Sequence, residues 1–154
     1  MTRTVYIDLS AKIEEWSADS AIAMTNGGET VFLVRARVKR QARDWLKKSG
    51  NKRREAVYIY RLLSALVYLI SAPELSNIEL LIIDADYPGT RPAAAIRNEL
   101  VPLLQRERRH FSGKRIRFQQ VKGSKADRLA RDVFRGKIQA QREITLEEIV
   151  SVWE

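Results

Sequence analysis

Ile78-Glu79-Leu80-Leu81-Ile82-Ile83, followed by Asp84-Ala85-Asp86-Tyr87-Pro88-Gly89, is the stretch on which the fold turns. Six nearly unbroken apolar positions, with Glu79 near the start, describe a strand covered on both faces, as in the middle of an α/β sheet. The acidic, Pro- and Gly-bearing segment after it predicts a loop at the carboxyl end of that strand. Before the strand, apolar residues from Val57 to Ile70 occupy most of a helix circumference, which predicts a largely covered helix from about Lys52 to Ile70, stopped by Pro73. After it, Pro92 suits the first turn of a helix reaching about Arg109, with a kink or break at Pro102. Ser112-Gly113 predicts a turn and Arg115–Val121 a half-exposed strand. Ser124 opens a helix to about Phe134, and Thr145-Leu146-Glu147-Glu148 reads as a capping box for a last short helix.

Towards the N-terminus the pattern changes. Val5–Leu9, Ala21–Thr25 and Thr30–Val38 read as three strands, the last two joined at Asn26-Gly27-Gly28, whose residues tolerate positive φ. Lys39–Lys48, with Ala42, Trp45 and Leu46 at helical spacing, reads as a helix ended by Ser49-Gly50-Asn51. An antiparallel first half and a βαβα second half imply an α/β fold: one domain over residues 1–154, with a mixed sheet and helices on both faces.

The chain has 154 residues, enough to bury a core without disulfides or structural metal. It carries 28 Lys and Arg against 19 Asp and Glu, a net charge of +9. Such an excess attracts polyanions, of which nucleic acid is the commonest. There are no cysteines, which removes disulfides, zinc–thiolate sites and thiol nucleophiles and suits a cytoplasmic location. Met1–Asp8 has no apolar signal core. The longest apolar stretch, Ala56–Ala72, contains Arg61 and is short for a membrane span of about 20 residues, so no membrane partner is expected.

Four carboxylates stand where phosphodiester chemistry would use them. Asp8 interrupts an apolar strand, and Asp84 ends the buried one. Glu55 and Asp127 lie in the first turns of helices. In open α/β sheets sites form at the carboxyl ends of strands and the adjoining helix starts. Converging carboxylates stay ionised together only beside a cation, and Mg²⁺ or Mn²⁺ favours oxygen ligands. Two such ions about 4 Å apart activate water and stabilise a leaving oxygen. Each residue also has a structural alternative. Glu55 favours a helix N-terminus. Asp127 fits a capping box with Ser124 and an ion pair with Arg131. Asp84 suits a turn, with Asp86 then the functional acid. Asp8 suits an exposed strand face.

A resemblance emerges from these residues. Gly123-Ser124-Lys125-Ala126-Asp127-Arg128-Leu129-Ala130 resembles the last motif of the ribonuclease H-like superfamily, a helix start that carries a metal-binding aspartate. Tyr6-Ile7-Asp8 resembles the family's first-strand motif. Ile82-Ile83-Asp84-Ala85-Asp86-Tyr87 resembles the fourth-strand motif, and Glu55 matches its helical glutamate in order. The order of elements matches over nearly the whole chain. The resemblance implies a mixed five-stranded sheet with its first three strands antiparallel. It further implies a nuclease that hydrolyses RNA, DNA or hybrid phosphodiesters with Mg²⁺ or Mn²⁺ held by Asp8, Glu55, Asp84 and Asp127. This chain departs from the family pattern in three places. Leu9-Ser10-Ala11 follows Asp8 where a glycine is usual. Val121–Lys125 offers lysines where many relatives have a histidine, the sole His110 falling before the preceding strand. The Lys39–Lys48 helix is extra. The alternative is a catalytically inactive member that binds nucleic acid or serves assembly. A PIN-like nuclease also clusters acids, but the early hairpin opposes it.

Two basic clusters complete the picture. One comprises Lys39, Arg40, Arg43, Lys47, Lys48, Lys52, Arg53 and Arg54, the other Arg106, Arg108, Arg109, Lys114, Arg115 and Arg117. Arg40, Arg43, Lys47, Arg53 and Arg54, with Lys122 and Lys125 near the acids, are the expected phosphate contacts. The interleaved Trp45, Phe111 and Phe118 read as core residues more readily than as stacking platforms.

Overall fold

The computed structural model describes residues 3–25, 29–49, 54–84, 90–121 and 123–154. The chain runs β1 (Arg3–Ser10), β2 (Ser20–Thr25), β3 (Thr30–Val34), α1 (Ala36–Ser49), α2 (Glu55–Ser71), β4 (Ile78–Asp84), α3 (Thr90–Leu104), β5 (Ile116–Gln119), α4 (Lys125–Phe134), β6 (Arg142–Glu143) and α5 (Leu146–Trp153). The strands form one mixed sheet in the order β5-β4-β1-β2-β3-β6. β1 to β3 are antiparallel neighbours, while β4 lies parallel to β1 and β5 parallel to β4.

The alternation in β1 assigns the two faces of this sheet. Val5, Ile7 and Leu9 enter the main core, together with Leu81 and Ile83 of β4 and Leu62, Leu66 and Ile70 of α2. Side chains on a strand point to opposite faces in turn, so Thr4, Tyr6 and Asp8 belong to the other side. There Ala21, Ala23 and Val31 meet Ala130 and Val133 of α4 in a second, smaller core. The small side chains of β2 let α4 lie close to the sheet. β2 is buried along its whole length because helices cover both of its sides. α2 with its following turn is the one segment among the described residues long and apolar enough to cross a membrane. Its Leu62, Leu63, Ala65, Leu66 and Val67 are spent on the core instead.

Several boundaries differ from the sequence reading. The third strand, expected to reach Val38, stops at Val34, and α1 begins at Ala36. Asp19 accounts for the change: its Oδ1 accepts from the Ala36 N–H at 2.8 Å, and its Oδ2 pairs with Arg35 at 3.1 Å. A carboxylate from a preceding loop thus satisfies the helix start, overriding the alternation of Arg35-Ala36-Arg37-Val38. α3 ends at Leu104, not near Arg109; it runs through Pro102 without a break and passes into tighter turns, with Arg106 N donating to Leu103 O and Glu107 N to Leu104 O. The sheet has six strands rather than five. The two-residue β6 lies parallel to β3, with Gln141 N donating to Val31 O and Ile144 N to Leu33 O. The helix starts read from Ser124 and Thr145 are present: Ser124 accepts from Asp127 N, and Thr145 with Glu148 forms the reciprocal box. The Asn26-Gly27-Gly28 turn lies outside the described residues, although β2 and β3 pair as a hairpin around it.

Candidate active site

Asp8 sits near the carboxyl end of β1, on the α4 side, and is only 5% exposed. The parallel register pairs Ile7 with Ile83, so the next residues, Asp8 and Asp84, stand side by side at the ends of neighbouring strands. Asp127 occupies the first turn of α4, the helix that covers β1 and β2 on that face. The three aspartates line one pocket of ≈ 340 Å³, with Lys12 and Glu15 from the β1–β2 loop, Gln120 after β5, and Arg131 one turn along α4. Residues separated by almost the whole chain meet here because β1 is flanked by β4 and roofed by α4.

Each carboxylate is held from nearby. Asp84 Oδ1 accepts from Val121 N at 3.0 Å, which ties the end of β4 to the chain leaving β5. Asp127 Oδ2 accepts from Gly123 N at 2.8 Å and from Arg131 Nη2 at 3.0 Å. Gly123 has φ +82°, so the turn that presents its N–H to Asp127 needs a residue without a Cβ. Of the structural roles foreseen for Asp127, the ion pair with Arg131 is present, and the capping box with Ser124 is half made: Ser124 Oγ accepts from Asp127 N, but the Asp127 carboxylate takes Gly123 N in place of the Ser124 N–H.

The loop forming the other wall is fixed from α1. Lys39, read from the sequence as a surface charge, is fully buried. Its Nζ donates to Glu15 O at 2.9 Å, Lys12 O at 3.3 Å and Ser20 Oγ at 2.8 Å. Three acceptors match the three protons of an ammonium. Burial nevertheless lowers its pKa to about 8, with Glu15, Asp19 and Glu14 pulling it back up. Ser20 Oγ donates in turn to the carbonyl of Ala11, which stands at φ 65°. Arg40 Nη1 donates to Trp16 O, and the Arg43 guanidinium lies 4.7 Å from the Trp16 ring.

Of the four carboxylates expected from the sequence, three meet and one does not. Glu55 is exposed at the start of α2 and is not among the residues lining the pocket; it fits its structural alternative as an acid at a helix N-terminus. Asp86 lies outside the described residues. The sequence reading missed Glu15, Lys12 and Gln120, which sit in irregular segments where no periodicity marks them. Arg131 was noticed only as an ion-pair partner. His110 is exposed after α3 and does not line the pocket.

The expected phosphate contacts divide. Arg40, Lys47, Arg54 and Lys125 are exposed, Lys125 paired with Glu29 at 2.5 Å, while Arg43 is half-buried on Trp16. Arg53 and Lys122 lie outside the described residues, as does Lys52. In the second cluster Arg106, Arg108 and Arg115 donate to the carbonyls of Val152, Ile78 and Glu79, whereas Arg109, Lys114 and Arg117 are exposed. Phe111 is fully buried, Phe118 packs against the core beneath Arg97, and Trp45 is half-buried, so these rings serve packing first.

Among the described residues no three His, Cys, Asp or Glu side chains close on a single point as a metal-binding group. The donors fit a hard cation in kind. Asp8 and Asp84 are oxygen donors, the kind that magnesium takes one or two of while filling its shell with water and substrate phosphate. Comparison of the chain with protein-family models, with curated proteins and with solved structures gave no match.

Proposed function

We propose that the chain is a divergent ribonuclease H-like protein and a divalent-metal-dependent nuclease acting on RNA or DNA. One observation carries the reading: Asp8, Asp84 and Asp127, 119 positions apart at the extremes, line the same pocket at the carboxyl ends of β1 and β4. Mixed strand order and the antiparallel first three strands agree with the family's arrangement. Asp8 and Asp84 are the residues to hold Mg²⁺ or Mn²⁺, with Asp127 beside them. The ion supplies positive charge for the phosphate and lowers the pKa of water. In the reaction a water oxygen bonds to phosphorus as an ester P–O bond breaks. A carboxylate takes the water's proton, and the leaving oxygen gains one from solvent. Arg131 and Lys12, at the same pocket, offer positive charge to the phosphate oxygens.

A second reading has its own support. Arg131 pairs with Asp127 at 3.0 Å and competes with a metal ion for that carboxylate, which favours a module that binds nucleic acid without cleaving it. Cleavage of labelled single-stranded, duplex and hybrid substrates with Mg²⁺ or Mn²⁺ separates the two. The nuclease reading requires metal-dependent products that disappear in Asp8→Asn. Tight, salt-sensitive binding with no turnover on any substrate would leave only the second.

A further inference from the structure

The α4 side of the sheet is covered unevenly. α4 packs on β2, β1 and β3, towards one edge. The register places Thr4 and Tyr6 of β1, Leu80 and Ile82 of β4, and Arg117 of β5 on this same face, in line with Asp8 and Asp84. At the far end of that line Lys114, Arg115 and Arg117, with the one carboxylate Glu79, surround a second pocket of ≈ 580 Å³ floored by Thr4 and Leu80. Leu80 and Tyr6 are half-buried, whereas Lys114 and Arg117 are exposed. The face therefore runs from a basic end, past an apolar floor with one aromatic ring, to the carboxylate pocket. Leu80 to Asp84 is four strand residues, or about 13 Å at the usual rise.

We infer that this face is a binding lane for one nucleic-acid strand, with Lys114 and Arg117 taking backbone phosphates a few nucleotides from the carboxylate pocket. The inference rests on the nucleic-acid part of the function proposed above, not on catalysis. The occupant follows from charge and shape. Two exposed cations on the rim of an open concavity suit a polyanion, and the net charge of +9 favours its approach. The Leu80 floor and the Tyr6 ring suit base faces, which a single strand exposes and a duplex hides. The opposite sheet edge, near Arg135 and Lys137, also has a large concavity, but there Arg35 is paired with Asp19 and Glu143, and Arg142 with Glu148.

The test is fluorescence anisotropy of a labelled oligothymidine, titrated across a salt series in the presence of a chelator, so that cleavage plays no part. The Lys114→Ala/Arg117→Ala protein is expected to bind more weakly. Its dependence of log affinity on log salt should be shallower by about 1.4, two contacts at roughly 0.7 each for a single strand. Arg135→Ala/Lys137→Ala, with the same loss of charge at the other edge, should keep the wild-type slope. Tyr6→Leu should weaken binding by about tenfold with the slope unchanged, because stacking is not ionic. A wild-type slope in the Lys114/Arg117 protein, an equal loss in the Arg135/Lys137 protein, or preference for a duplex of the same sequence would overturn the lane. Binding by the lane without metal-dependent turnover would sink the nuclease reading and leave the lane standing; turnover that ignores Lys114 and Arg117 would do the reverse.

Discussion

Lys39 Nζ donates at 2.9 Å to the main-chain carbonyl of Glu15, so a buried ammonium on α1 holds from behind the loop whose front lines the carboxylate pocket. The helix that the resemblance read from the sequence leaves over, α1, is thereby joined to the site. It sits where a free loop between β1 and β2 would leave one wall of the pocket undefined. The same lysine places a cation deep in a protein already rich in positive charge, at a cost that depends on pH.

That cost gives the first prediction. Burial depresses the Lys39 pKa from 10.5 to about 8. Between these values the unfolded chain binds more protons than the folded one, so stability rises with pH through that window. Below about pH 8 the whole penalty is present. Urea midpoints of the wild type and Lys39→Met, taken at about pH 7 and about pH 10, should show the wild type gaining on the variant at the higher pH. Parallel shifts in both proteins would remove Lys39 as the titrating group.

The second prediction separates the acids. Asp8→Asn or Asp84→Asn should reduce metal-dependent cleavage by at least about 100-fold, beyond the loss typical of an outer-shell contact. Glu55→Gln should cleave within about twofold of wild type, since an exposed surface substitution is worth little. Equal losses in all three variants would mean that Glu55 reaches the reaction after all.

How far the site could be read from the sequence follows from what each residue needed. Asp8 stood out because an apolar strand has no use for a carboxylate, and Asp84 because a buried strand ended there. Both are consequences of one-dimensional patterning. Glu15 was silent: its part in the pocket depends on a loop held by Lys39 across 24 positions. Lys39 itself was misread, since a lysine in a basic helix looks like every other solvated one, and only tertiary packing buries it. The strand at Val31–Val34 was legible, yet its end was not, because Asp19 decides it from a distance. β6 has two residues, too few for any period to register.

A third prediction concerns Arg131. Its ion pair holds Asp127 at i,i+4 on α4, partly exposed, and is worth about 0.3–0.5 kcal/mol. Arg131→Gln should therefore lower stability only by that order, and it removes the positive charge beside Asp127 while Oδ2 keeps its bond from Gly123 N. Mn²⁺ binding followed by calorimetry should tighten in the variant if Asp127 joins the ion. Unchanged Mn²⁺ affinity would assign Asp127 to capping Gly123 and holding the helix start.

The last prediction tests whether the closeness of α4 to the sheet sets the site. Ala130 is fully buried against Ala21, Ala23 and Val31, one turn beyond Asp127. Ala130→Leu adds volume where helix and sheet have no room, and overpacking of this kind costs typically 1–3 kcal/mol, about that here. The helix relieves the clash by moving off β2, and Asp127 moves with it, away from Asp8 and Asp84. Cleavage should therefore fall further than the stability loss explains, at temperatures where the variant is still fully folded by circular dichroism. Ala130→Gly offers the contrast. It loosens the helix by about 1 kcal/mol without pushing it outward. If both variants lose activity only in proportion to their unfolded fraction, the position of α4 has no bearing on the chemistry, and Asp127 is a structural residue.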